Sequence, residues 1–410
     1  MDIYQVVEAI LVWIISGLGD TIITPLFGLL ATIIEFFLSL IDGFFDLFGW
    51  DTDIVGFFEP LTSFIRDFTE FLLSDTVMSI LTALVVGIVI LVLVMLQVII
   101  FIYMERKIFG RIGDRRGPKY VGLIDHGFLQ QIADALKLFL KEIITPEKSD
   151  KMLYHVAPVI LISSTLMILA ALPFSEGFYI SAPKGGILFI MAMFAVAPIA
   201  ILVGGWASNN KYTLIGGMRS AAMMMSYEIP LLLTIAAVII LAGTFDSIGI
   251  VQAQSDFGMW YGIPMILGFI IFMICIVAEV ERIPFDLPEA EAELVEGWTT
   301  EYGGMRLGLI WLTEYTRMYC GAAIGAILFL GGWSGPTIPV PGLDVISGEI
   351  WISVKIYIII LLFIWIRWSL PRVRTDQILH FGWRRLLPLA LFNVFIAIGI
   401  KILGDMWGWF

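Results

Sequence analysis

The chain has 410 residues, 59% of them hydrophobic and 15% charged, with a mean hydropathy of +0.95, which excludes a water-soluble enzyme. Two cysteines and three histidines are too few to supply an iron–sulfur cluster or a multi-ligand metal site, so no metal site is expected and any redox groups must be borrowed. The formal charge of −12 is local: residues 1–76 hold 12 acidic side chains against one basic, Arg66, while the remainder balances 23 basic against 24 acidic.

Residues 1–65 contain no Lys or Arg, so the basic start of a secretory signal peptide and an Arg-rich transit peptide are both missing, and the start is expected to belong to the mature protein. Thr32, Glu35, Ser39, Asp42 and Asp46 recur at steps of three and four, as do Glu59, Thr62, Arg66, Glu70 and Ser74. This spacing predicts two acidic amphipathic helices in an N-terminal helical extension, residues 1–76, packed along the outer face or flank of the bundle. Residues 3–19 and 21–41 could instead form a hairpin through the membrane, although Glu8, Asp20, Glu35 and Asp42 would be costly in lipid unless paired.

From residue 77 onward eight segments reach the length a bilayer demands: 77–103, 153–173, 186–207, 220–242, 260–280, 305–329, 351–370 and 386–404. The expected fold is all-α, a polytopic membrane protein whose second domain, residues 77–410, is an eight-span helical bundle. Basic residues assign its sides. Loop one carries Arg106, Lys107, Arg111, Arg115, Arg116 and Lys119, loop three Lys211 and Arg219, and loop seven Arg367, Arg372, Arg374, Arg384 and Arg385; the even loops hold only Lys184. Loops one, three, five and seven are therefore expected on the cytoplasmic side. Between spans one and two, residues 128–143 set Gln130, Asp134, Lys137 and Lys141 against a face of Phe128, Leu129, Ile132, Leu136, Phe139, Leu140 and Ile143, predicting an amphipathic helix lying flat at the inner interface.

Charges inside spans are costly, so they carry information. Glu228 lies about eight residues into span four, without a partner in its own helix, and is read as a proton-handling or water-lined acid. Glu314 and Arg317, in span six, are spaced i, i+3 and either pair within their helix or serve the same path. Lys355, Arg367 and Lys401 sit near span ends and are expected to snorkel. Loop five is acidic on the inner side: Glu279 and Arg282 precede P-F-D-L-P (284–288), whose prolines force a turn, and Glu289, Glu293 and Glu296 then share one helix face with Glu291 turned away. Carboxylates so grouped repel one another and share protons or find cations, which is what a proton relay requires. No Gly-rich phosphate loop opens a helix after a strand, so nucleotide binding is not expected.

M-E-R-K (104–107), R-R-G-P (115–118), A-D-A-L-K-L (133–138), G-W-A-S-N-N-K-Y (205–212), S-Y-E (226–228), R-I-P-F-D-L-P-E-A-E (282–291), E-L-V-E-G (293–297), T-E-Y (300–302), E-Y (314–315) and P-R-V-R-T-D-Q (371–377) together resemble the H subunit of the proton-pumping NADH:quinone oxidoreductase, respiratory complex I. The resemblance covers residues 77–410. It implies a membrane subunit of a prokaryotic plasma membrane that forms much of a quinone chamber between the first span, the flat helix and the sixth span. Such a subunit anchors a peripheral electron-transfer arm and couples quinone reduction to proton translocation, with no catalysis alone. Quinone would be the substrate, with iron–sulfur clusters and any flavin on partner subunits. The implied partners are a peripheral iron–sulfur subunit, a hydrogenase-like large subunit and small neighbouring membrane subunits.

Carried over by motif, Glu105, Arg106, Lys107 and Arg282 belong to the chamber, and Arg115, Arg116, Arg372 and Arg374 to docking of the peripheral arm. Glu228, Glu279, Asp286, Glu289, Glu291, Glu293, Glu301 and Glu314 belong to the relay. The chain departs from the family's pattern at G-P-K-Y-V-G (117–122), at Gln131 in place of a common Pro, at Glu281 and Glu296, at Trp298, and at Arg317, a cation near Glu314. The membrane subunit of an energy-converting hydrogenase is the nearest alternative. A secondary transporter would show an internal inverted repeat, and none is evident.

Overall fold

The computed structural model describes residues 75–121, 127–176, 179–181, 183–286, 294–336 and 347–407. The chain divides into two compact units, residues 1–91 and 92–410. Of the first, the described part is residues 75–91, the opening of helix α1, which runs Asp75–Ile112. The two acidic helices predicted before residue 75 lie outside the described residues.

Among the described residues the regular structure is helical throughout, with no strand, in agreement with the all-α class. After α1 come α2 (Gln130–Leu140), α3 (Lys151–Ala171), α4 (Gly186–Phe194), α5 (Val196–Ala207), α6 (Lys211–Ala242), α7 (Ser247–Phe257), α8 (Ile266–Glu279), α9 (Met305–Phe329), α10 (Ser347–Ser369), α11 (Thr375–Phe381) and α12 (Leu387–Trp407). Among the described residues, five stretches are long and apolar enough to cross a membrane: Lys151–Ala171, Gly186–Ala207, Lys211–Ala242, Gly348–Ser369 and Thr375–Gly404. Helix α9 has the length, but Glu314, Tyr315, Arg317 and Tyr319 make its middle less apolar.

Three elements differ from their predicted outlines for local reasons. The third span is broken at Ala195, between α4 and α5, because Pro198 has no N–H to offer the carbonyl of Phe194. The fifth begins at Ile266 rather than 260. Gly258 ends α7 in the left-handed conformation, and the turn that follows is pinned by Gln254, which accepts from the Tyr261 N–H at 3.2 Å and donates to the Ile327 carbonyl at 2.8 Å. Helix α2 is shorter than the predicted 128–143. Its Ile132, Leu136, Phe139 and Leu140 are exposed, while Asp134 is half-buried and Gln131 fully buried. The predicted polar face is thus turned partly into the protein.

Helix α6 packs against α5, α8 and α12, and α9 against α3, α8 and α10. Tyr154, Leu161, Ile201, Met224, Trp298 and Ile310 form one buried cluster of this core. Glycine lets two backbones meet where a side chain would not fit: a Cβ at Gly216 would stand 2.7 Å from the Trp298 nitrogen, and one at Gly205 2.6 Å from the Thr213 carbonyl oxygen. Asn210 caps α6 by accepting from the Tyr212 N–H, and Gly243 ends it at φ 73°.

Lys355 and Arg367 do not snorkel. Lys355 is buried, and its ammonium donates to the carbonyls of Leu330 (2.7 Å), Gly332 (2.8 Å) and Ser334 (2.7 Å), closing the C-terminal end of α9, where a cation is favoured. Lys401 donates to the Leu241 carbonyl at 3.0 Å near the end of α6. Orphan carbonyls at helix ends, and for Arg367 a buried carboxylate, hold these cations more firmly than the solvent edge would.

Candidate functional site

The chain leaves α8 at Glu279 and turns at once. Glu281 takes a left-handed conformation (φ 57°), the Arg282 N–H returns to the Val277 carbonyl at 3.3 Å, and Pro284 blocks any helical continuation. This turn aims Glu279 and Arg282 at α9. Arg317 of α9 donates to Glu279 at 2.6 Å, both side chains being almost wholly buried, and Arg282 Nε lies 2.7 Å from Glu314 Oε1. In place of the i, i+3 pair suggested within α9, each member meets a partner across the helix interface. An ion in such surroundings is expensive unless opposed, and the cross-helix partners supply the opposing charges.

Glu105 stands at the other side of Arg282. Its carboxylate accepts from Arg367 and from the Tyr315 hydroxyl (2.7 Å), and Arg282 Nη1 lies 3.8 Å away. The Arg282 guanidinium also lies 4.4 Å from the centre of the Tyr315 ring, a cation–π geometry. Glu105, Arg282, Glu314, Tyr315 and Arg367 are therefore one connected network. Arg282 links its two carboxylates.

A cavity of about 140 Å³ lies between α1, α2 and α9, lined by Met95, Ile99, Ile102, Leu138, Trp311 and Leu312 among others; no member of that network lines it, but Arg106 follows Glu105 in α1 and Trp311 lies one turn before Glu314 and Tyr315 in α9. The cavity's polar edge is Arg106, Asp134 and Gln131; Arg106 pairs with Asp134 at 2.5 Å. A cavity of roughly 150 Å³ holds one benzene ring. Lys107, beside Arg106 in the chain, is instead tied to the Pro118 carbonyl at 2.7 Å.

The remaining predicted residues are placed as follows. Glu228 is half-buried on α6 and feels the charges of Arg317 and Glu279. Asp286 is buried and pairs with Arg372 at 2.9 Å, so one of the arginines expected at a docking surface is engaged within the chain. Arg374 meets Asp376 at 3.4 Å with both side chains exposed, and Arg115 and Arg116 are exposed. Glu301 belongs to a different cluster. It accepts from Asn210 at 2.7 Å, and its backbone carbonyl accepts from Tyr154 at 2.5 Å, where Tyr154 stacks on Tyr302 with ring centres 4.4 Å apart. Burial pushes the Tyr302 phenol above its usual value, keeping it a neutral donor. Glu289, Glu291 and Glu293 lie outside the described residues.

Arg367, Tyr315 and Asp134 were missed as site residues. The E-Y pair at 314–315 and the D in A-D-A-L-K-L were visible as motif letters. Arg367 gave no such signal, because a basic residue at an inner span end is ordinary.

Residues 85–398 match the family model described as NADH dehydrogenase. The H subunit of NADH-quinone oxidoreductase from Anoxybacillus flavithermus is 44% identical over 316 residues, 77% of this chain and 93% of that protein. The proteins of the same name from Bacillus cytotoxicus and Bacillus thuringiensis are 46% and 45% identical over 297 residues, 72% of this chain and 87% of each relative. A chain whose described regular structure is helical, with long apolar helices and these relatives, is a membrane subunit of a multi-subunit oxidoreductase complex. Within that class it belongs to the NADH dehydrogenase family, among the H subunits of NADH-quinone oxidoreductase.

Proposed function

We propose that this chain forms the quinone-binding chamber of a complex I-type enzyme, anchors its peripheral arm, and couples quinone reduction to proton translocation through buried carboxylates. The cavity between α1, α2 and α9 carries the reading: it is apolar on most of its wall, sized for one ring, and edged by the Arg106–Asp134 pair. Its neighbour is the network in which Arg282 joins Glu105 to Glu314. Quinone is the substrate, an isoprenoid tail lying along Met95, Ile99 and Leu312. Electrons come from partner subunits, an iron–sulfur protein and a hydrogenase-like large subunit docked on the cytoplasmic loops, where Arg115, Arg116 and Arg374 are exposed.

Negative charge arriving in the chamber acts on Arg282 and, through it, on Glu314, Glu279 and Glu228. In a low-dielectric site one added charge moves neighbouring proton equilibria by whole units. Asp286, Glu289, Glu291, Glu293 and Glu301 complete the relay from the loop side. All eight predicted spans cross a prokaryotic plasma membrane in this reading, with loops one, three, five and seven in the cytoplasm and α2 flat at the inner interface, its apolar face in lipid. The relatives' names favour a quinone enzyme over a hydrogenase or a transporter.

Gly308→Leu in the assembled complex is the test. A Cβ at Gly308 meets Leu138 of α2 at 3.5 Å and the Met305 sulfur of its own helix at 3.8 Å, and all three residues line this cavity, so a leucine fills it. The KM for a long-chain quinone rises at least tenfold while reduction of an artificial acceptor by the peripheral arm persists; an unchanged KM contradicts the reading.

A further inference from the structure

Glu279 and Arg282 are three residues apart at the end of α8, and Glu314 and Arg317 are three apart on α9. The observed pairing runs across the helices, Glu279 with Arg317 and Arg282 with Glu314. A second pairing is open to Arg317 along α9, where i, i+3 spacing puts Glu314 within reach by side-chain rotation alone. Two further features bear on which pairing holds. Glu279 Oε2 is buried with no hydrogen-bond partner, while Oε1 is held by Arg317. A cavity of about 30 Å³, room for a water, touches Arg317, Glu314, Glu281 and Thr313.

We propose that Arg317 is a positioning residue that exchanges between Glu279 and Glu314, and that this exchange converts charge in the quinone chamber into protonation of Glu279. The inference rests on the chamber reading above. When negative charge enters the chamber, Arg282 moves toward it, 3.8 Å from Glu105 already, and releases Glu314. Arg317 then turns through the small cavity to Glu314. Glu279 is left as a buried carboxylate without its cation, and it neutralises by taking one proton from the water-connected inner side onto the open Oε2. Return of Arg317 expels that proton. Both arginines stay charged throughout, and no electron passes through the ladder. Glu281 and Glu228 are the other acids near these groups; Glu281 borders the cavity, and Glu228 lies within the field of Arg317.

The infrared difference spectrum of the complete complex, quinol-reduced minus oxidised, tests this. The wild type gains the C=O stretch of one protonated carboxyl. Glu279→Gln abolishes it, and Arg317→Gln shows the carboxyl already protonated in the oxidised state, with the proton-to-electron ratio down at least twofold. If Arg317→Gln does not assemble, Arg317→Lys serves: lysine holds Glu279 but reaches Glu314 poorly, so the gained band shrinks by half or more. A wild-type spectrum without the band, a band that survives Glu279→Gln, or an Arg317 variant with unaltered band and ratio overturns the proposal. Gly308→Leu separates the two ideas: normal quinone KM in that variant removes the chamber reading, whereas a raised KM with any of the overturning spectra removes the exchange alone.

Discussion

Glu105 shows how much one side chain holds. It accepts from Arg367 and Tyr315 and faces Arg282, all inside a site from which bulk water is largely excluded. Removing one partner of a buried pair leaves the other charge uncompensated, a cost of about 3–5 kcal/mol. Glu105→Gln therefore lowers the thermal inactivation midpoint of the assembled complex sharply, whereas the Glu105→Met, Arg367→Met double variant recovers much of the loss. A strictly additive double variant would show that the two side chains are not coupled. Tyr315→Phe removes one hydrogen bond to a charged group and costs less, about 1.5–3 kcal/mol by the same assay. Glu105 was legible in M-E-R-K, and Arg282 in R-I-P-F-D-L-P. Their partners were not. Spacing along a helix names neighbours on one surface, while Arg317 and Glu314 are opposed by a second helix whose rotation no pattern of 3.6 reveals.

At the scale of elements, the helices follow from apolar runs and their stops, and the departures come from prolines, glycines and single polar clamps. Pro198 breaks the third span, and Gln254 fixes the turn that delays α8 to Ile266. Lys355 looked like an edge residue because the sequence cannot show that three carbonyls converge on it. Lys355→Met leaves those carbonyls without their donor and is expected to cost about 1–3 kcal/mol each where they stay dry; proteolytic sensitivity of residues 330–336 is the readout, and full protection would contradict it. Two glycines give an opposed pair of predictions. Gly216→Val drives a side chain into the backbone at 297–298 and destabilises by roughly 1–3 kcal/mol. Gly399→Ala, which meets nothing within 4 Å inside α12, stabilises by about 0.5–1 kcal/mol, both seen as shifts in inactivation temperature.

Over the whole molecule, the most deeply buried of the described ion pairs gather where α8, α9, α10 and α1 meet, and the ring-sized cavity opens one helical turn away, at Trp311 of α9 and Arg106 of α1. Motif order along residues 77–410 was enough to expect a cavity between the first span, the flat helix and the sixth. Which acids share a cluster was not legible: Glu301 sits with Asn210 and two tyrosines, apart from Glu105 and Glu314, because the loop that carries it folds back on α3 and α6. The central claim is that quinone occupies the space between α1, α2 and α9. A long-chain quinone bearing a photoreactive group on its tail, irradiated in the complete complex and followed by peptide mapping, tests it most directly. Labels on Met95–Ile102, Leu138 or Trp311, suppressed by excess unmodified quinone, are the predicted result; labelling confined to other subunits, or to the lipid-facing side of α12, would contradict it.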